Sequence, residues 1–396
     1  MVIFQIVLFV IILSFLVIIH ELGHYLTARL FKVRVDEFGV GYPPRAVTLF
    51  KKGRTIFSLN WIPFGGFVKM EGEEGSEVEL ASFEDMPSPE LPQHLPQLNS
   101  NRVEGPFYAK TKFARLVITV AGATVNFLFG ILAFSLFFSL TGIPQLANNP
   151  RIGELLPDSP AAAAKLPVMV DIKGIQLPDG SVLAVTTVDD VIKIISARPK
   201  EQLTLILTNP CAEHAAACTG EQRFPITPRP KANDSTKGEI GIQFTPVVIQ
   251  QFYPWYEMPI RGTMTGLKQT WYLTKLIFEA LGNIGKSITQ GKVPTEVGSP
   301  VKIFVESRKA GIFDQGPGML LNFAGIISVN LAIFNLLPIP ALDGGRVVMI
   351  LLEFVIGRKR VNRIEGYVNY AGIIVLGLIM ALIFAKDIIE VVTHRG

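Results

Sequence analysis

Two histidines and a glutamate in one short stretch have the types and spacing for metal-assisted hydrolysis. His20 and His24 stand four apart in His-Glu-Leu-Gly-His. On a helix, positions i and i+4 share a face, so both imidazoles can address one zinc ion with Glu21 beside it. A carboxylate there can take a proton from water on the metal, whose pKa zinc lowers to about 7. The bland alternative is a chance match on an ordinary helix, and the setting argues against it. The motif ends an uncharged apolar run, residues 2–19. A charged group at the centre of a membrane helix costs about 2.5–3.5 kcal/mol, against about 0.3–0.6 returned by each Leu, Ile, Phe or Val. Ionisable groups at such depth are functional by default.

Catalytic zinc normally takes three protein ligands and keeps one open position. Asp343, in Asn-Leu-Leu-Pro-Ile-Pro-Ala-Leu-Asp-Gly-Gly-Arg at 335–346, reads as the third ligand. Pro338, Pro340, Gly344 and Gly345 break an apolar helix there. Irregular backbone survives at membrane depth only where protein or a wet cavity surrounds it. Taken alone, the Asp-Gly pair equally suits a helix cap before the next loop. Asn335, about two helical turns upstream, can donate its amide to a substrate carbonyl or oxyanion, or bond to a neighbouring helix. Pro338 and Pro340 are grouped with it as substrate-binding.

These residues need a membrane framework, and the composition supplies one. The 396 residues are 49% hydrophobic and 18% charged, with a mean hydropathy of +0.39, where a soluble chain carries about 25% charged residues. Disorder and a simple soluble enzyme are both disfavoured. The net charge of +4 is scattered with no basic stripe among aromatics, so no nucleic acid partner is expected. Apolar segments run over 2–19, 116–140, 319–340 and 367–386. The first lacks a basic leader and an A-x-A site, so it reads as a retained helix and not a signal peptide. Lys and Arg cluster after the first segment, before the second, and between the third and fourth. Those loops should be cytoplasmic, with both termini and the large loop 143–318 outside.

His-Glu-Leu-Gly-His in a first membrane helix, Asn-x-x-Pro-x-Pro-x-Leu-Asp-Gly in a later one, and Pro-Phe-Gly-Gly-Phe-Val-Lys-Met at 63–70 together resemble the site-2 proteases. These are intramembrane zinc metalloproteases, and the likeness is greatest to the bacterial branch that includes the regulator of sigma-E protease. It covers essentially the whole chain. The resemblance implies one zinc ion on His20, His24 and Asp343, Glu21 as the base, and Asn335 holding substrate. It also implies an inner (plasma) membrane location in a bacterium. The substrates it implies are single-span proteins already shortened outside, such as an anti-sigma factor or a signal-peptide remnant.

The expected fold is a multi-pass α-helical membrane protein with four transmembrane helices, a membrane-associated β-hairpin element and one external α/β PDZ-like domain. The N-terminal membrane part is 1–145, with apolar β-formers around Lys51-Lys52-Gly53-Arg54 predicting a hairpin over 36–70. In the resembled family such an element offers an edge strand to an extended substrate. Family members often show Gly-x-Gly-Pro here, whereas Tyr42 separates Gly41 from Pro43 in this chain. Residues 76–109 are rich in Pro and acidic groups and read as a flexible cytoplasmic loop, with His94 solvated there. Small residues in 121–127 suit close helix packing, and Asn126 is expected to bond across helices. Residues 146–250 resemble a PDZ domain, better suited to excluding bulky ectodomains than to gripping a peptide carboxylate. In 251–318 lies an amphipathic helix expected at the outer interface, and 319–396 completes the membrane part. The only two cysteines, Cys211 and Cys218, fall in the external loop, as a disulfide or as two free thiols. A non-catalytic membrane protein that traps helices is the competing function, and the intact Glu21 speaks against it. A metal transporter is disfavoured because these residues make one site and no onward relay.

Overall fold

In the computed structural model the described residues are 2–73, 105–208, 221–230, 238–290 and 299–393. Most of the loop expected over 76–109, with His94, and both Cys211 and Cys218 lie outside them. The chain forms two units, Met1–Thr141 with Pro254–Gly396, and Gly142–Tyr253.

The first unit begins with α1 (Val2–Leu30), a single helix that carries the apolar run straight through His20 and His24. A hairpin follows, β1 (Val35–Lys52) with β2 (Thr55–Met70), antiparallel from Lys52 opposite Thr55 to Val35 opposite Met70. Gly53 takes φ +64° at its turn, where the sequence places Lys-Lys-Gly-Arg. The root of the hairpin is fixed to α1 by a core of Ala28, Val33, Val35, Phe38, Val68, Met70, Phe107 and Ile118. Each of its larger apolar side chains withdrawn from water contributes about 1.5–3 kcal/mol. Tyr25, Phe38 and Phe57 add three ring contacts at 5.5–5.7 Å.

Helix α2 (Lys112–Thr141) is the central post of this unit. Phe15 meets Phe129 while His24 meets Ile118, so α1 and α2 run antiparallel. Among the described residues, four helices are long and apolar enough to cross a membrane: Val2–Leu30, Lys112–Thr141, Pro317–Asn335 and Arg360–Asp387. The third of these stops at Asn335, short of the apolar run's end near 340, because Pro338 and Pro340 lack the N–H that a helix requires.

In the second unit lie β3 (Ile143–Ala147), β4 (Ile152–Leu155), α3 (Pro160–Ala163), β5 (Ile172–Gln176), β6 (Val182–Ala184), α4 (Val188–Ser196), β7 (Leu203–Thr208), β8 (Glu221–Ile226), β9 (Ile242–Phe244) and β10 (Val247–Gln251). A four-stranded sheet has the order β6-β5-β7-β8, while β4 pairs with β9 and β3 with β10. Its core gathers Ile152, Ile172, Ile175, Leu203, Leu205 and Leu207 with Val191 and Ile195 of α4. The start of α4 carries a capping box, Thr187 and Asp190 satisfying one another's backbone amides.

The first unit resumes with α5 (Met258–Thr289), α6 (Pro300–Lys309), α7 (Pro317–Asn335), α8 (Asp343–Leu352) and α9 (Arg358–Thr393). The helix the sequence assigns to the outer interface is α5. Its Leu273, Ile277 and Leu281 pack with Phe134, Phe138 and Val329 of α2 and α7, while Lys268, Lys275, Glu279 and Lys286 stay exposed. Arg115 at the start of α2 forms a buried, two-pronged ion pair with Glu353 just beyond α8, with one bond at 2.7 Å. The Lys112 ammonium adds a bond of 3.1 Å to the Glu353 carbonyl.

Candidate metal centre

Helix α1 places His20 and His24 on one face, one turn apart, as the i and i+4 spacing requires. Their Nε2 atoms are 3.2 Å apart. Asp343 Oδ2 lies 3.1 Å from His20 Nε2 and 3.2 Å from His24 Nε2, closing a nearly equilateral triangle. Both histidines are buried, at 7% exposure. Asp343 Oδ2 is buried, yet neither imidazole is aligned to hydrogen-bond with it. His24 Nδ1 stands 2.9 Å from the Ile118 carbonyl, which can only accept. That bond puts the proton on Nδ1 and leaves the Nε2 lone pair facing the other two atoms.

The triangle fits a metal. Four ligands at zinc distances of about 2.0–2.1 Å in a tetrahedron stand about 3.3–3.4 Å from one another. The three edges of the triangle are within a few tenths of an ångström of that, and two nitrogens with one carboxylate oxygen are a donor set zinc accepts.

Asp343 reaches the histidines through a tight reversal. Ala341 takes φ +76°, a region unfavourable to residues with a side chain. Leu342 then serves as the N-cap of α8, with Asp343 its first helical residue. The carboxylate therefore faces the imidazoles and does not cap the helix. The two following glycines permit the turn. A β-carbon on Gly344 would stand 2.1 Å from the Leu337 carbonyl oxygen, and one on Gly345 2.4 Å from that of Ile339.

Glu21 faces a cavity of about 220 Å³ lined also by His24, Asp343, Arg346, Tyr42 and the strand segment Gly66–Val68. Glu21 and Val68 line the same cavity wall, which sets the base beside β2. Arg346, on the same face of α8 as Asp343, pairs with Glu73 beyond the end of β2, and Asn369 of α9 completes the rim. The base, two histidines and the aspartate are thus brought together. Asn335 is half-buried at the end of α7, and neither it nor Pro338 nor Pro340 lines this cavity. Pro340 instead packs against Gly372 of α9.

Several contributors carry no local signature in the sequence. Gly122 of α2 abuts both Nε2 atoms, although its stretch signals only close helix packing. Glu73 and Arg346 are far apart in the chain, and Asn369 sits in an unremarkable apolar helix. Asn126 differs from expectation. Its side chain is fully buried with neither amide atom bonded, and the bond across to α7 is made by its backbone carbonyl, which accepts from Ser328 Oγ at 2.8 Å.

Comparison with known proteins gives this geometry its context. The model of peptidase family M50 matches residues 8–379. The "Putative zinc metalloprotease CPE1693" of Clostridium perfringens is 31% identical over 380 residues, covering 95% of this chain and 96% of that protein. The zinc metalloprotease RasP of Geobacillus kaustophilus is 26% identical over 442 residues, covering 97% of each. A family match over nearly the whole length, joined to a His-His-Asp cluster at the end of an apolar helix, leads to one assignment: the chain belongs to peptidase family M50, the site-2 proteases, and is a membrane-integral zinc metalloprotease.

Proposed function

We propose that His20, His24 and Asp343 hold the zinc ion and that Glu21 is the general base for hydrolysis of a peptide bond in or near a transmembrane helix. The observation that carries this reading is that His24 and Asp343 of the metal triangle, together with Glu21, line one cavity bordered by β2. Zinc held there supplies Lewis acidity at the scissile carbonyl. Glu21 takes a proton from the attacking water onto its carboxylate and returns it to the leaving amine. A base so placed contributes roughly 10^2–10^4-fold.

Helical substrate must become extended before its carbonyl reaches the site. The segment Gly66–Val68 beside Glu21 is suited to pair with it, since strand addition satisfies the backbone groups that unwinding frees. The outer part of the hairpin exposes Val47, Leu49, Phe50, Leu59, Trp61 and Ile62, an apolar surface that favours lipid over water. Asn335, Pro338 and Pro340 act on substrate away from the cavity, at the broken end of α7.

The substrates are single-span membrane proteins trimmed outside beforehand, such as an anti-sigma factor or a signal-peptide remnant. The unit Gly142–Tyr253 is a PDZ-like domain that excludes bulky ectodomains, a reading its short capped helices and four-stranded sheet support. It and both termini face outward from a bacterial inner membrane, as the distribution of Lys and Arg argues.

The test compares the wild type with Glu21→Gln, at matched expression, on a tagged single-span substrate with a short ectodomain. Cleavage by the wild type that vanishes in the variant is the expected result. Equal cleavage by both, or none by either across several helices containing helix-breaking residues, rejects the proposal.

A further inference from the structure

Tyr42 lines the cavity wall from the hairpin. It stands on β1 opposite Ile62 of β2. A β-carbon added to Gly65 would meet its ring at 2.6 Å from Cε2, 3.3 Å from Cδ2 and 3.5 Å from Cζ, so the ring lies over that glycine. Gly65 takes φ +78° and Gly41, just before the tyrosine, φ +81°. A side chain at Gly41 would press within 2.5 Å of the Ile62 carbonyl oxygen. The backbone on both sides of the ring is thereby committed to glycine geometry.

The next residue along β2 faces the base. A β-carbon on Gly66 would stand 3.5 Å from Glu21 Cγ. Tyr42, Gly66 and Glu21 thus share one wall of the cavity, with Gly65 beneath the ring. Tyr42 and Glu21 line the same cavity, and 52% of the tyrosine surface is still open. The cavity it helps enclose, about 220 Å³, is smaller than the usual ligand pocket of roughly 300–1,000 Å³. A peptide laid along β2 with its carbonyl at the metal triangle must put one flanking side chain against this ring.

We infer that Tyr42 is a specificity-determining residue: its ring limits the substrate residue flanking the scissile bond to small side chains, namely Gly, Ala or Ser. This rests on the proteolytic reading above. The ring sets the limit by volume, so the phenolic hydroxyl is not required for it. Removing the ring opens space beside Gly65 without altering a metal ligand or the base.

The experiment uses the full-length protein in proteoliposomes with three single-span substrates identical except for Ala, Leu or Phe beside the cut, which mass spectrometry maps. The wild type is expected to cut the Ala substrate at least tenfold faster than the Phe substrate. Tyr42→Phe should keep that ratio, and Tyr42→Ala should reduce it to threefold or less. An unchanged ratio in Tyr42→Ala overturns the inference, as does a collapsed ratio in Tyr42→Phe. If Tyr42→Ala cuts nothing, Tyr42→Leu replaces it, with the same ratio deciding; inactivity of both also overturns the inference, in favour of a role in hairpin folding. A wild type that cuts none of the substrates, or a Glu21→Gln that cuts as well as the wild type, instead condemns the proteolytic reading.

Discussion

A β-carbon on Gly122 would stand 2.3 Å from His24 Nε2 and 2.7 Å from His20 Nε2. Helix α2 therefore touches the candidate ligand atoms with its bare backbone, and no larger residue fits without moving an imidazole. The contact explains how two antiparallel helices can meet with a metal triangle at their crossing. Small residues let membrane helices approach closely, and here that closeness is what makes room for the site.

Gly122→Ala is accordingly expected to displace at least one histidine. Disturbing the surroundings of a metal ligand costs about 10–100-fold in metal affinity or activity, and this change acts on the ligand nitrogens themselves. Zinc per purified chain, measured by elemental analysis alongside cleavage, should fall well below one. Retention of stoichiometric zinc with full turnover would show that the helices can part and that the close approach is dispensable.

The pair formed by Arg115 and Glu353 gives a second expectation. Both side chains are nearly inaccessible, at 7% and 2% exposure, and they join the start of α2 to the end of α8, which carries Asp343. Removing one partner of a buried pair leaves an uncompensated charge and costs about 3–5 kcal/mol. Glu353→Ala should lower resistance to unfolding in detergent by that order. Arg115→Met with Glu353→Leu should recover most of it, because the pair itself adds little over a well-packed apolar replacement. A double variant as weak as the single one would mean that the bond from Lys112 to the Glu353 carbonyl, or packing, was the larger contribution.

The parts of this architecture legible in the sequence are those encoded within one or two turns. His20, Glu21 and His24 share a helix, and a spacing of four sets their common face before any tertiary contact exists. The four spans are legible because a uniform apolar run is a local property. Asp343 is reached only by the chemical argument that zinc lacks a third ligand, since its own neighbourhood suits a cap equally well. Gly122, Tyr42 and the Glu73–Arg346 pair belong to a different category. Their roles arise where α2, the hairpin and α8 converge on α1, and no periodicity reports such a meeting. Asn335 illustrates the opposite case: its motif is conspicuous, yet its side chain lies away from the cavity.

Asn126 leads to an expectation about stability. Its carboxamide is 0% exposed with both polar atoms unbonded, and an unsatisfied buried group costs about 1–3 kcal/mol. Leu shares the branching of Asn at Cγ and leaves no polar atom unpaired, although its two methyl groups are bulkier than the amide. Asn126→Leu should therefore raise the unfolding free energy by about 1–2 kcal/mol, with the bond from Ser328 to the residue 126 carbonyl retained. A loss of stability on this change would mean that the amide has a partner in the folded protein, such as a buried water.

The capping box of α4 supplies a pH dependence outside the membrane-spanning segments. Bonds from the Thr187 side chain, the Thr187 and Thr186 amides and the Thr186 hydroxyl hold the Asp190 carboxyl below its ordinary value. A carboxyl whose folded pKa is depressed contributes stability that is complete above its unfolded pKa, near about 3.9, and is lost as pH falls through the lower folded value. Protection of the α4 amides from hydrogen exchange, corrected for the intrinsic rate, should thus hold steady from neutral pH down to the ordinary Asp range and decline below it. Asp190→Asn removes the titrating group, so the difference between wild type and variant should shrink as the pH drops. A difference that stays constant to the lowest pH would locate the acid sensitivity of α4 in some other group.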